Sequence, residues 1–278
     1  MSPARRRLIQ AVSLGALVLA WEVAARVGWA DPLFVPAPSA VARAFRAIAP
    51  EALGLLGETL GKTLVAYALA VGLGVGAGLL IGGVRYLHDV LNPFLVALYA
   101  LPKILILPWI LLAFGLGATP AVVYGVLQGF FPICLLVAGG VRDIDRMPLR
   151  VARSMGATSW QLYRKVILPA VLPAVLAGMR LGIVFCLLGV LVVEMFGGIR
   201  GMGFLLVSLA NAFRAPELFA ATTLVSLLSV GVVLGLERLN RRLGHWRYGA
   251  PPVPRPGACG RPRGRGPGSA AASRRGRA

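Results

Sequence analysis

Charge is scarce in this chain. Only 14% of its 278 residues are charged, against about 25% in a typical soluble domain. Acids are scarcer still, with 10 Asp and Glu facing 29 Lys and Arg. Histidine occurs twice, as His88 and His245, both in polar segments that suggest no metal site. The three cysteines, Cys134, Cys186 and Cys259, lie far apart, and no CxxC occurs. No disulfide or metal framework follows from that spacing. Cys134 and Cys186 sit inside apolar runs and read as small buried hydrophobes.

What the chain has in place of charge is apolar length. It is 58% hydrophobic, more than one water-soluble core can hold. The apolar residues fall in segments of roughly 18–25, the length that crosses a hydrocarbon layer of about 30 Å. The expected fold is an all-α integral membrane protein with about six transmembrane helices. A formal net charge of +19 invites a nucleic-acid reading, but eleven of the basic residues follow Leu236 and most others flank apolar runs. Such charges orient membrane spans. The basic stripe with interleaved aromatics that nucleic-acid binding needs is absent.

Arg5, Arg6 and Arg7 precede an apolar run from Leu8 to Trp21. A cleaved signal peptide has this shape, yet Glu22 and Arg26 stand where small neutral cleavage residues belong. Residues 1–28 therefore read as a retained first helix. Residues 29–58 form a connection in which Pro32, Pro36 and Pro38 give an extended entry and a short amphipathic helix begins near Ser39. A membrane core spans 59–245. Its second apolar run, Leu60 to Gly83, carries Gly72, Gly74, Gly76, Gly78 and Gly82. In lipid such small residues let helix backbones approach closely.

After a polar turn at Arg85 to Asp89, the third run, Leu91 to Leu112, contains Pro102, Lys103 and Pro108. Prolines here predict a broken span, tolerated where neighbours or a cavity satisfy the freed carbonyls. The fourth run covers Pro120 to Gly140, the fifth Ala174 to Phe196 and the sixth Leu218 to Leu236, with a glycine-rich connection after the fifth. Residues 246–278 are Pro, Gly and Arg with almost nothing to bury, and disorder is expected there.

With the amino terminus inside, the inner segments hold three basic residues at the start, Arg85, six between Arg142 and Lys165, and eleven at the end. The outer segments hold six: Arg26, Arg43, Arg46, Lys62, Arg200 and Arg214. Positive charge stays cytoplasmic, so both termini and the loop at 142–173 are expected inside.

That loop is the least membrane-like internal stretch. Asp143 and Asp145 sit at a helix start that Met147-Pro148 suits, and Gly156 ends the first short helix. Thr158-Ser-Trp-Gln161 reads as a capping box opening a second helix that Pro169 closes. Trp160, Tyr163, Arg164 and Ile167 can share one face of it. The loop is thus predicted to be a helix, a glycine corner and a helix, displaying aromatic and cationic side chains to a soluble partner. A helix merely resting in the headgroups is the alternative.

At this point the sequence resembles a known family. "GATSWQLYRKVILP" is similar to the cytoplasmic loop of inner-membrane permease subunits of binding-protein-dependent ABC importers. Their signature runs Glu-Ala-Ala, three residues, Gly, nine residues, Ile, one residue, Leu-Pro. Counted from Gly156, the triplet falls on Arg150-Val151-Ala152, where Ala152 matches and Arg150 replaces the glutamate. Val166 stands for the isoleucine, and Leu168-Pro169 match. "FVPAPSAVARAF", "LPWILLAFGLGATP", "FFPICLLVAGGVRDID" and "VVEMFGGIRGMGFLL" resemble the nitrate, sulfonate and taurine branch.

The resemblance implies a type I importer permease architecture, two permease copies, a cytoplasmic ATPase dimer and a periplasmic or lipid-anchored capture protein. It implies that ATP and Mg sit on the ATPase and that this chain holds no cofactor. The coupling residues it implies are Arg150, Ala152, Gly156, Ala157, Thr158, Trp160, Gln161, Tyr163, Arg164, Leu168 and Pro169. The implied cargo is a small anion such as an aliphatic sulfonate, taurine or nitrate, with a vitamin precursor as runner-up.

Gly61-Lys62-Thr63 looks like the tail of a phosphate-binding loop, but Leu56 occupies the position that needs glycine. No nucleotide site is expected, and the chain is not expected to be an enzyme. A gradient-driven secondary transporter often carries ionisable residues through several spans or shows inverted repeats. Here only Lys103, Arg180 and Glu194 lie in or near spans, and no repeat is evident. For the translocation path the candidates are Lys103, Gln128, Glu194 and Asn211.

Overall fold

A computed structural model describes residues 3–28, 31 and 34–243. The expected tail at 246–278, His245 and Cys259 lie outside the described residues. Among those described, every regular element is helical. They are α1 (Pro3–Val27), α2 (Pro38–Gly83), α3 (Arg85–Ala100), a tight 3-10 turn (Lys103–Ile106), α4 (Leu107–Phe114), α5 (Ala118–Arg142), α6 (Arg146–Ser154), α7 (Ser159–Leu162), a wide π turn (Tyr163–Ile167), α8 (Leu168–Phe196), α9 (Met202–Asn211) and α10 (Ala215–Leu243).

Among the described residues five helices are long and apolar enough to cross a membrane. A sixth crossing arises if α3 and the segment Lys103–Phe114, bent by 85°, count as one broken span. The bend falls where Pro102 withholds a backbone donor, as the sequence predicts.

Three sequence expectations need correction. The short helix near Ser39 and the span from Leu60 are one continuous helix, α2, of 46 residues. At 1.5 Å per residue it is about 69 Å long, more than twice the hydrocarbon thickness. Its amino-terminal half is held by burying Ala44, Ile48, Ala52 and Leu55 against α9 and α10. Pro38 begins it at a position where a missing N–H is harmless. From α1, Glu22 accepts bonds from the Ser39 amide (3.0 Å) and hydroxyl (2.8 Å), so a carboxylate caps the helix start.

The second correction concerns Pro169, which does not close a helix. The chain stays helical from Ser159 to Phe196 through the π turn. There the Leu168 amide donates to the Tyr163 carbonyl, one residue further back than in an α-helix. The widened turn makes room for the proline ring that would otherwise strike the carbonyl four residues earlier. The third correction is the glycine-rich connection after the fifth span, which contains the ordered helix α9.

The core follows from small residues. On α2 the buried stripe runs Thr59, Thr63, Ala66, Ala70, Gly74, Gly78 and Gly82. It lies against α5, and α5 lies against α8. The approach is so close that a Cβ at Gly78 would stand 2.7 Å from the Val137 Cβ and 2.8 Å from the Cys134 carbonyl oxygen. On the α5–α8 side, a Cβ at Gly189 would stand 2.9 Å from the Gly125 Cα. Inside lipid such van der Waals contact, rather than water exclusion, drives helix association.

Of the five glycines the sequence singles out in α2, Gly72 and Gly76 face open space. Gly78→Ala is therefore expected to destabilise the bundle by about 1–3 kcal/mol. It should appear as a lower thermal midpoint of the detergent-solubilised protein. Gly76→Ala is expected to leave the midpoint unchanged. Equal midpoints for the two variants would contradict the packing described.

Candidate functional site: an exposed loop and a buried ionic node

Both caps of the loop between α5 and α8 form as the residue types dictate. The Asp145 carboxylate accepts from the Met147 amide at 3.0 Å and caps α6. At the far end Gly156 takes φ +78°. The Gly156 amide donates to the Arg153 carbonyl at 3.0 Å, and the Ala157 amide to the Ala152 carbonyl at 3.1 Å. That pair of bonds is the Schellman ending, which requires a left-handed residue at Gly156. The next helix opens at once. The Thr158 amide donates to Gln161 Oε1 at 3.0 Å, and the Gln161 amide to Thr158 Oγ1 at 3.3 Å. The reciprocal capping box is complete.

Two caps therefore meet across two residues and make a stiff corner. Around it Met147, Val151, Met155 and Trp160 are exposed, Trp160 by 68%. Met147, Val151 and Met155 recur at helical spacing along one side of α6 and its end. Trp160 stacks on Tyr163, with ring centroids 6.3 Å apart and planes 16° apart. Arg150 and Arg164 are also exposed, whereas Leu162 is buried under the corner. Ala152, Ala157 and Pro169 are half-buried, and Leu168 is exposed.

A second polar centre lies among α2, α8 and α9. Glu194, on α8, is fully buried. Its carboxylate accepts from Thr59 Oγ1 (2.9 and 3.0 Å), from Lys62 Nζ (2.9 Å) and from the Gly203 amide (3.0 Å). The Thr59 oxygen itself accepts from the Met202 amide at 2.9 Å, so its hydroxyl proton faces the carboxylate. Lys62 Nζ also donates to the Arg200 carbonyl.

Gly201 is required here by contact. A Cβ on it would fall 2.1 Å from Glu194 Oε1. The carboxylate thus meets the amino-terminal end of α9, where free amides and the helix dipole favour an anion. Glu194 behaves as the cap of the following glycine turn, the structural role the sequence allows it.

Lys62 is the residue that sequence reasoning missed, because its local pattern is that of an outer-loop cation beside a false phosphate motif. A signal was present. Thr59, Lys62 and Thr63 are polar at helical spacing and extend the small-residue stripe of α2.

The four path candidates do not form one cluster. Lys103 stands at the bend between α3 and α4, and Gln128 donates to the Tyr124 hydroxyl at 3.3 Å on α5. Glu194 belongs to the node with Lys62, and Asn211 is exposed at the end of α9. Arg180 pairs with Glu237 of α10. Among the described residues no group of His, Cys, Asp and Glu is arranged to hold a metal ion.

Membrane helices with a capped two-helix loop between the fourth and fifth apolar runs define the class of protein. Residues 70–245 match the family described as binding-protein-dependent transport system inner membrane component. The chain belongs to that family. It is a multi-pass inner-membrane permease subunit of an ABC importer, whose ATPase is a separate subunit and whose substrate comes from a binding protein.

Two curated relatives illustrate the range within the family. The taurine transport system permease protein TauC of Escherichia coli strain K12 is 28% identical over 84% of this chain and 88% of its own length. The riboflavin transport system permease protein RibX of Chloroflexus aurantiacus is 32% identical over 84% of this chain and 88% of its own. A solved chain of the inward-facing MetNI methionine ABC transporter superposes with TM-score 0.60 at 21% identity, covering 67% of this chain and 93% of that one. It shares the fold.

Proposed function

We propose that this permease moves a small organic sulfonate, taurine or a close analogue, into the cytoplasm. Two copies would enclose the path, with both termini inside. The ATPase dimer, carrying ATP and Mg, would grip the loop at 142–173. The observation that carries the coupling role is the doubly capped corner at Gly156–Thr158. A rigid projection transmits displacement, whereas a flexible loop would absorb it. Exposed Met147, Val151, Met155 and Trp160 present the apolar and aromatic surface on which interface hot spots are built. Closure of the ATPase dimer would push this corner and rock α5 and α8 together, because their backbones are in contact.

The sulfonate reading draws on the taurine relative and on the "VVEMFGGIRGMGFLL" and "LPWILLAFGLGATP" segments. Greater identity to the riboflavin relative favours a second reading, a vitamin-sized heterocycle. Import by the reconstituted permease, ATPase and capture protein separates the readings. Labelled taurine should accumulate with ATP after ion gradients are collapsed, and labelled riboflavin should not. ATP-independent accumulation driven by a gradient would contradict the importer mechanism here. Trp160→Ala is expected to weaken ATPase association by about 1–3 kcal/mol, roughly 5- to 150-fold. Because Trp160 is exposed, the thermal midpoint of the isolated permease should be unchanged.

A further inference from the structure

Lys103, Arg180 and Glu194 are ionisable residues within the apolar runs, and two of the three are matched by opposite charge. Glu194 meets Lys62, and Arg180 meets Glu237. Among the described residues, Lys103 has no carboxylate within 4.0 Å. Yet it is only 9% exposed. Among the described residues its ammonium donates once, to the Tyr99 carbonyl at 3.0 Å. It lies 4.6 Å from the centre of the Tyr99 ring and 5.4 Å from that of Phe131. Ring faces attract a cation without cancelling its charge. An ammonium has three donors, so most of its hydrogen-bonding capacity is left over.

Position adds a second argument. α3 has 16 residues and rises about 24 Å, short of the roughly 30 Å hydrocarbon layer. The chain then breaks into the 3-10 turn at Lys103. Irregular backbone at membrane depth is tolerated where protein surrounds it or where it lines a watery cavity. The cage is held from three sides. Tyr99 comes from α3 and packs edge-on against Phe185 of α8, with centroids 6.4 Å apart. Phe131 comes from α5, where Tyr124, Gln128 and Phe131 follow at helical spacing on one face. Among the described residues Gln128 makes one side-chain bond, donating to the Tyr124 hydroxyl, and it lies one helical turn before Phe131 on α5.

A buried cation without a counter-ion is costly to maintain. We infer that Lys103, in its Tyr99–Phe131 cage at the bend of the broken span, is the counter-charge that a sulfonate group meets during passage. Two sulfonate oxygens would take the free ammonium donors, and Gln128 would face the polar far end of the solute. This rests on the anion reading above and adds to it the residue that discriminates charge.

The test uses the complete importer, permease with ATPase and capture protein, in proteoliposomes, with labelled taurine and ethanesulfonate as probes. Lys103→Met is expected to lower uptake by about tenfold or more, since losing even one of the two hydrogen bonds to a charged group costs that much. Co-purification with the ATPase and the ATPase rate without capture protein should stay at wild-type levels. Lys103→Arg, which keeps the charge, should retain most of the uptake. Wild-type uptake by Lys103→Met overturns the subsite alone. Equal loss in the Met and Arg variants, together with loss of ATPase co-purification, overturns it in favour of a packing role. A wild-type importer that takes up neither anion overturns the anion reading, and the subsite with it.

Discussion

Glu194→Ala is expected to cost the bundle about 3–5 kcal/mol, the penalty for removing one partner of a buried ion pair. The change strips Lys62, Thr59 and the Gly203 amide of their shared acceptor at once. Lys62 is 12% exposed in its side chain, so solvent can restore little of the loss. The Met202 amide loses nothing directly, but its acceptor, the Thr59 hydroxyl, is freed to rotate. α9 should then detach from α2 and α8. The measurement is thermal or denaturant unfolding in detergent, with protease nicking near Arg200 as a local report. Adding Lys62→Met to Glu194→Ala should return part of the stability, because the stranded cation is removed as well. An unchanged midpoint for the single variant would show that the node contributes nothing.

Gly156→Val is the variant expected to damage transport most. Nothing lies within 4 Å of a Cβ built there, so the cost is purely one of backbone. At φ +78° a non-glycine residue is strained by about 1–2 kcal/mol, and a branched one by more. The cheapest relief is to leave the left-handed conformation, which breaks the bonds from Gly156 to Arg153 and from Ala157 to Ala152. The corner then loses its fixed angle while the spans remain folded. Uptake by the full importer should fall by at least about tenfold, if the corner stores as little as 1.4 kcal/mol of orientation. The solubilised permease should unfold at its usual temperature. Gly156→Asn, which tolerates the left-handed region, should keep most of the activity. Equal uptake by the Val and Asn variants would contradict the corner's role.

How far these sites could be read from the sequence depends on the range of the forces that form them. The Asp145 cap, the Gly156 ending and the Thr158–Gln161 box are made within five residues of chain. Each was legible because side-chain chemistry and spacing dictate it. The bend at Pro102 was legible for the same reason. The continuity of α2 was not. Whether helix persists from Ser39 to Leu60 depends on burial of Ala44, Ile48 and Ala52 against α9 and α10, contacts distant in sequence.

The π turn at Tyr163–Ile167 was hidden because proline alone reads as a stop, and only the continuing spans on either side convert it into a widened turn. The pairing of Lys62 with Glu194 crosses 132 positions, beyond any local pattern. The stripe of small residues on α2 was visible as composition. Which glycines face α5, Gly74, Gly78 and Gly82 rather than Gly72 and Gly76, follows from the four-residue spacing of the buried set.

Met155 offers the most direct test of the central claim, that the corner at Gly156 projects into the cytoplasm as the grip of the ATPase. It is 81% exposed at the end of α6. Met155→Cys, made with Cys259→Ser so that only buried Cys134 and Cys186 remain, can be labelled with a membrane-impermeant maleimide. Labelling is expected in inverted vesicles, none in right-side-out vesicles, and protection when the ATPase is bound. Labelling from the outer face, or no protection in the assembled importer, would contradict it.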